Sequence, residues 1–342
     1  MNDPALLPVR SRLAGAVVAR RAAIGVAVVA LIAVPYAIQQ IYYVNIASQI
    51  LLYAIFALGL NVLVGYAGLV SLGHAGLFGV AAYAVAYLLA AGAGHAVAIL
   101  GALAIGLVAT AGFAALALRS TGISFIMITL ALGEIIWGLA YRWISITNGD
   151  NGISVSTRPA PFGLSLDSPR AFYDATLVVF LLAVAAVAIF VRSPLGAALA
   201  GTRDQPRRMN ALGYHVWMIR FWAFMFSGLL TAVAGILFVY YTEFISPQAL
   251  ALTASAEGLL MVISGGAGTL LGPVFGAALV VIVKNVVSAY ITRWNFMLGA
   301  IFVAIVVFMP EGLVPGAVRL LRSAWRAASR QKPAAAIAGP KQ

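Results

Sequence analysis

Apolar runs of about the length needed to cross a lipid bilayer recur along this chain, and that recurrence confines it to a membrane-embedded fold. A helix needs roughly 20 mostly apolar residues to traverse the hydrocarbon core. Ten runs approach or meet that length, at 22–38, 46–64, 69–90, 95–117, 122–141, 174–191, 220–241, 255–272, 273–290 and 295–310. Only 9% of the 342 residues are charged and 63% are hydrophobic, against about 25% charged in soluble domains. A water-soluble surface cannot be built from that composition. The expectation is an all-α polytopic transmembrane bundle of about ten spans. The Gly-rich middle of 255–290 also fits a re-entrant hairpin, which leaves eight crossings.

The net charge of +12 is not spread as a nucleic-acid-binding surface would spread it. Arg10, Arg12, Arg20 and Arg21 against Asp3 make the first 21 residues basic. Arg192, Arg203, Arg207, Arg208 and Arg220 against Asp204 do the same for 192–220, and six Lys/Arg against Glu311 do so beyond residue 310. Threading ten spans from a cytoplasmic N-terminus places these blocks, and Arg119, on the cytoplasmic side. Sixteen of the 21 Lys/Arg then lie inside, as the positive-inside rule requires. The resulting organisation is a basic N-terminus (1–21), a membrane domain (22–314) and a basic, partly disordered tail (315–342). A periplasmic loop (142–173) and a cytoplasmic loop (192–219) interrupt the membrane domain. The run 22–38 reads as an uncleaved anchor, because it ends without a clear small-x-small cleavage site.

Much chemistry is missing. Without cysteine there are no disulfides, Cys-ligated metals or thiol nucleophiles. There is no G-x-x-x-x-G-K-[ST] to cradle a nucleotide phosphate, and Gly266-Ala267-Gly268-Thr269-Leu270-Leu271 fails the dinucleotide pattern at its last position. His74, His95 and His215 are too scattered for a zinc site. The chain reads as neither an enzyme nor a metal- or cofactor-binding protein. What remains is moving a solute through the membrane or holding something in it.

The densest motif runs from Gly59 to Gly79. Glycines 73, 76 and 79 permit close helix packing, whereas Gly65 and Gly68 can break the helix and free carbonyls that protein or a water-lined cavity must satisfy. Asn61, Ser71 and His74 are polar groups in this apolar setting. Each reads either as an interior hydrogen-bonding group or as part of a solute pathway. Glu134 carries the same pair of readings: an acid bonded to a neighbouring helix, or one lining the pathway. Glu257 suits a helix start by its charge, and Lys284 can snorkel. Gly265 and Gly266 interrupt a second apolar run, making either a tight turn or an exposed backbone site for a translocated solute. In the cytoplasmic loop, Leu195, Leu199, Met209 and Leu212 are mixed with Arg203, Asp204, Arg207 and Arg208. That mixture suits a short helix docked on a cytoplasmic partner.

Five ordered segments, Gly59–Tyr83, Ser124–Asn151, Gly196–Gly235, Glu257–Gly276 and Met309-Pro310-Glu311-Gly312-Leu313, resemble the permeases of branched-chain amino acid ABC importers. The long outer loop and Ile128-Thr129-Leu130-Ala131-x-Gly133-Glu134 resemble the LivM-like subunit more than its H-type counterpart. The chain departs from the family's pattern at Leu69, Ala81 and Lys284, where Gln, Gly and an acid are common; the first and third bear on which solute is carried. The resemblance implies a bacterial inner-membrane subunit. Its partners would be a second homologous permease, two ATP-binding cassette ATPases and a periplasmic solute-binding protein, with lipid around the bundle. It also implies that 196–213 couples to the ATPases through Arg203, Asp204, Arg207 and Arg208, with Gly213 ending the short helix, and that Asn61, Ser71, His74 and Glu134 belong to the pathway. Urea or a short amide is the alternative cargo. A stand-alone transporter or channel driven by an ion gradient, and a structural scaffold, are the alternatives from other classes.

Overall fold

A computed structural model describes residues 29–33, 35–37, 40–155, 166–287, 294–308, 312–316 and 319. The basic N-terminus, much of the first expected span, part of the outer loop and most of the tail lie outside the described residues. Helix α1 (Ile41–Asn61) runs directly into a π-helical turn, Val62–Ala67. It is followed by α2 (His74–Ala90), α3 (His95–Ala117) and α4 (Ile123–Arg142). Next come α5 (Pro169–Arg192), the short α6 (Pro194–Asp204) and α7 (Pro206–Ala211), and α8 (Val216–Thr242). Two short helices, α9 (Leu252–Gly265) and α10 (Gly272–Ile282), precede α11 (Trp294–Phe308).

Among the described residues, five helical segments are long and apolar enough to cross a membrane: Ile41–Ala67, α3, α4, α5 and α8. Their burial separates centre from rim. In its most apolar stretch the Ile41–Ala67 segment is 83% buried and α8 is 61% buried, against 22–28% for α3, α4 and α5. The first and α8 therefore form the middle of the bundle, and the other three present much of their apolar surface outward, where lipid or a partner helix can cover it.

The expected runs at 255–272 and 273–290 fold as α9 and α10, joined by a turn at 266–271. α10 runs on into a π-helical turn, Val283–Val287, which carries Lys284; at 1.5 Å per residue α9 measures about 21 Å and 272–287 about 24 Å. The two helices pack antiparallel at very close range. A Cβ on Gly265 would overlap the Gly272 carbonyl, and one on Gly276 would overlap the carbonyl of Met261. Only residues without a side chain permit that approach.

The connections sort into two ends. At one, Gly68, Leu118, Thr121, Arg203, Asn210 and His215 line a single recess of about 510 Å³. At the other, β1 (Ile153–Ser154) pairs antiparallel with β2 (Phe244–Ile245), Ile153 opposite Ile245. The same partition follows from alternate crossing: 65–68, 118–121 and 192–215 at one end, 142–155, 166–168 and 243–251 at the other.

Candidate functional site

At the end carrying Arg203, three elements meet around a broken helix. The π turn shifts the backbone register of α1, and Gly68, at φ +68°, reverses the chain. The Gly65 carbonyl is taken by the Arg203 guanidinium, through Nη1. The stem of Arg203 lies over Gly68, where a Cβ would come within 2.9 Å of its Cγ. One turn back, the fully buried Asn61 bridges to the α9–α10 turn in both directions. Its Nδ2 donates to the Thr269 carbonyl at 2.9 Å, and its Oδ1 accepts from the Gly268 amide at 2.9 Å. Backbone groups released where the helix breaks are thus satisfied by protein side chains. Gly265 and Gly266 are buried beside this turn.

Ser71 and His74 belong to a second polar cluster, also fully buried. His74 Nδ1 lies 2.8 Å from Ser71 Oγ, and Nε2 lies 3.0 Å from Ser227 Oγ on α8. Ser227 spends its single proton on the Gly59 carbonyl at 2.6 Å, so it accepts from His74 and the proton sits on Nε2. Nδ1 then accepts from Ser71, which itself accepts from the Gly73 amide at 3.4 Å. Every donor in the chain has an acceptor with the imidazole neutral. The start of α2 is further held by Thr129, whose Oγ1 accepts from the Leu72 amide, and by Ser255, whose Oγ accepts from the Ala75 amide. The cluster ties α1, α2, α4, α8 and α9 together.

Glu134 stands apart from both clusters. It is half-buried on α4 and makes no hydrogen bond or ion pair among the described residues.

In the loop between α5 and α8, Ser193 caps α6 by accepting from the Gly196 amide at 3.2 Å, with Pro194 in the first turn. Gly213, at φ +85°, ends α7. Its amide donates to the Asn210 carbonyl, and the Tyr214 amide donates to that of Met209, which is the Schellman pattern. Arg203, Asp204, Arg207, Arg208 and Gly213 are all exposed. Among the described residues, Arg203 is the one of these charged side chains that bonds into the bundle. Arg220 steadies α6 from α8 by donating to the Thr202 carbonyl at 2.8 Å. The apolar residues divide: Leu199 is fully buried and Met209 packs on Gly201, whereas Leu212 is 67% exposed.

Sequence reasoning treated Glu257 and Lys284 as separate residues. The structure pairs them, Lys284 Nζ lying 3.1 and 3.0 Å from the two carboxylate oxygens of Glu257. The antiparallel register set by Gly265 against Gly272 brings them opposite each other, and no local pattern announces it. They lie in the wall of a cavity of about 750 Å³ toward the β1–β2 end. Ser227, Thr129 and Ser255 were also overlooked; their only signal is a hydroxyl in an apolar run. Among the described residues no three His, Asp or Glu side chains gather to hold a metal ion.

A family model described as "Branched-chain amino acid transport system / permease component" matches residues 42–306. The chain is 30% identical over 298 residues to the high-affinity branched-chain amino acid transport system permease protein LivM of Escherichia coli (strain K12), a match covering 80% of this chain and 70% of that one. The same figures hold for the LivM protein of Salmonella typhimurium. A shorter match, 30% identical over 154 residues, covers 42% of this chain and 43% of the autoinducer 2 import system permease protein LsrC of Yersinia enterocolitica. No solved structure matches. The family match runs from the first turn of α1 nearly to the end of α11, and so takes in the broken helix, the Ser–His–Ser cluster, the loop carrying Arg203 and the Glu257–Lys284 pair. The chain belongs to the family of permease components of branched-chain amino acid transport systems.

Proposed function

We propose that this chain is the LivM-like subunit of an ATP-driven importer in a bacterial inner membrane. With a second, homologous permease it forms the pathway for branched-chain or related small amino acids. Two ATP-binding cassette subunits hydrolyse ATP on the Arg203 side, and a periplasmic binding protein delivers solute on the β1–β2 side. The basic blocks put the Arg203 end in the cytoplasm, together with both termini. The α9–α10 unit supplies two further spans of about ten, or a re-entrant hairpin within eight crossings.

The observation that carries this reading is the junction of Arg203 with the broken helix. Arg203 sits on an exposed, capped helix that a partner can push, and its guanidinium holds the Gly65 carbonyl. Through Asn61 the same turn of α1 holds the tip of the α9–α10 hairpin. Movement of α6 on ATPase closure therefore reaches the hairpin through the Arg203–Gly65 contact and then the two parallel hydrogen bonds of Asn61. Asn61, Gly265 and Gly266 form the moving part of the pathway, and Ser71 and His74 hold the fixed wall beside it. Asp204, Arg207 and Arg208 meet the ATPase, and Gly213 sets the end of the docking helix. Glu134 faces the pathway at the seam with the second permease, since a carboxylate turned to lipid costs about 2.5–3.5 kcal/mol.

Labelled leucine uptake at low micromolar concentration tests the reading, comparing host cells lacking the chain with cells in which it is restored. Uptake is expected to vanish without the chain, to require the ATPases, and to be competed by valine and isoleucine rather than urea. Uptake that survives loss of every ATPase and follows an ion gradient would overturn it. If Arg203→Ala with Arg207→Ala leaves ATP-coupled uptake unchanged in correctly inserted protein, the coupling role fails.

A further inference from the structure

The cavity toward the β1–β2 end has features that neither the coupling junction nor the Ser–His–Ser cluster explains. Its volume, about 750 Å³, falls in the ~300–1,000 Å³ range of small-molecule sites. Tyr53, Phe56, Phe78 and Phe238 supply an aromatic wall. Phe56 and Phe78 meet edge to face at 5.4 Å, as do Phe78 and Phe238 at 5.3 Å. Gly258 makes that wall possible, because a Cβ there would run into the Phe56 ring. Beside it stand one negative and one positive group, Glu257 and Lys284, paired at 3.0 Å with their side chains 17% and 35% exposed.

We propose that Glu257 and Lys284 form a subsite for a zwitterionic solute with an apolar side chain. The solute's ammonium group takes the Glu257 carboxylate, its carboxylate takes the Lys284 ammonium, and its side chain lies on the aromatic wall. The inference rests on the permease reading and names the residues that would hold its solute. Charge bookkeeping supports it: a zwitterion entering the pair exchanges one ion pair for two and strands no charge. A solute lacking either end breaks the protein's own pair and puts one ion pair in its place instead of two. The protein's own pair competes for both groups, so binding stays weak enough for release, as passage requires. The hairpin bearing both charges is the one whose tip Asn61 ties to the Arg203 junction, which places the subsite on the moving element.

The absence of cysteine permits a direct test. A single thiol is introduced as Thr253→Cys, in the cavity lining, and the chain is expressed with its partners in native membranes. The rate of alkylation by a membrane-impermeant maleimide is then measured with leucine, leucinamide (no carboxylate) or 4-methylpentanoate (no ammonium). Leucine is expected to slow labelling, with each analogue needing about tenfold more for the same protection. Adding Glu257→Gln together with Lys284→Gln, which removes both charges of the pair at once, is expected to abolish protection while labelling and insertion persist. Protection that survives the double substitution, equal protection by the three probes, or no protection by leucine in the parent would each overturn the subsite. If ATP-dependent uptake is intact in the parent, any of these results removes the subsite and leaves the permease reading standing; uptake that ignores the ATPases removes the reading itself.

Discussion

Replacing Asn61 by alanine should loosen the α9–α10 turn selectively, by an amount the structure allows to be worked out. Asn61 is fully buried and makes two hydrogen bonds of 2.9 Å, one to the Thr269 carbonyl and one from the Gly268 amide. Among the described residues neither backbone group has another hydrogen-bond partner, so the alanine variant strands a donor and an acceptor. A stranded buried group costs about 1–3 kcal/mol. Ala267 is exposed, and Gly268 and Thr269 are half-buried, so water can reach the turn and the lower bound applies to each. The sum is about 2 kcal/mol, well above the ~0.6 kcal/mol average for side-chain hydrogen bonds between membrane helices. That larger value is expected because both partners here are backbone groups. At 1.4 kcal/mol per tenfold, it corresponds to roughly 30-fold faster local opening. Amide hydrogen exchange on the protein in lipid nanodiscs reads this directly, with 266–271 as the reporter and the middle of α1 as the control. Acceleration of less than about threefold at 266–271 would refute the claim that Asn61 holds the turn. Equal acceleration in α1 would refute its selectivity.

Other expectations follow from the same geometry. Ser227→Ala removes the acceptor of the His74 Nε2 proton and the donor to the Gly59 carbonyl; it should destabilise the purified protein by about 2–4 kcal/mol, read as lowered thermal stability with Ser227→Thr closer to wild type. Gly276→Val forces side-chain carbons into the Met261 carbonyl and should separate α9 from α10, by about 1–3 kcal/mol or more; proteolysis of the 266–271 turn in membranes measures it. Gly213→Ala puts a Cβ at φ +85° and should weaken the end of α7 by about 1 kcal/mol, a change visible in thermal stability but leaving the Arg203–Gly65 contact in place.

Several features were legible before any coordinates because they are written in residues with special backbones. Gly65 and Gly68 left a helix break open beside plain packing, and the chain breaks there, through a π turn and a left-handed glycine. Gly265 and Gly266 announced an interrupted run, and α9 ends on them. Gly213 announced a helix end and closes a Schellman motif. Near-continuous apolar runs announced the long helices for an equally local reason, since a segment in hydrocarbon must satisfy its own backbone.

What stayed hidden concerns neighbours. In water a helix shows its buried side as an apolar stripe, but in a bilayer the outward face is as apolar as the inward one. Nothing in the residues of α1 or α5 therefore tells which is central and which is peripheral. Among four neighbouring charged residues of one loop, the choice of Arg203 as the one reaching Gly65 depends on where α6 lies against the broken helix. The partnership of Glu257 with Lys284 depends on the antiparallel register of two short helices. The chain's own residues determined that it lives in a membrane, where its helices break and which end is basic. Only the packed structure decided which polar groups meet, because polar groups scarce in sequence find their partners across elements, through close contacts that glycine permits and burial enforces.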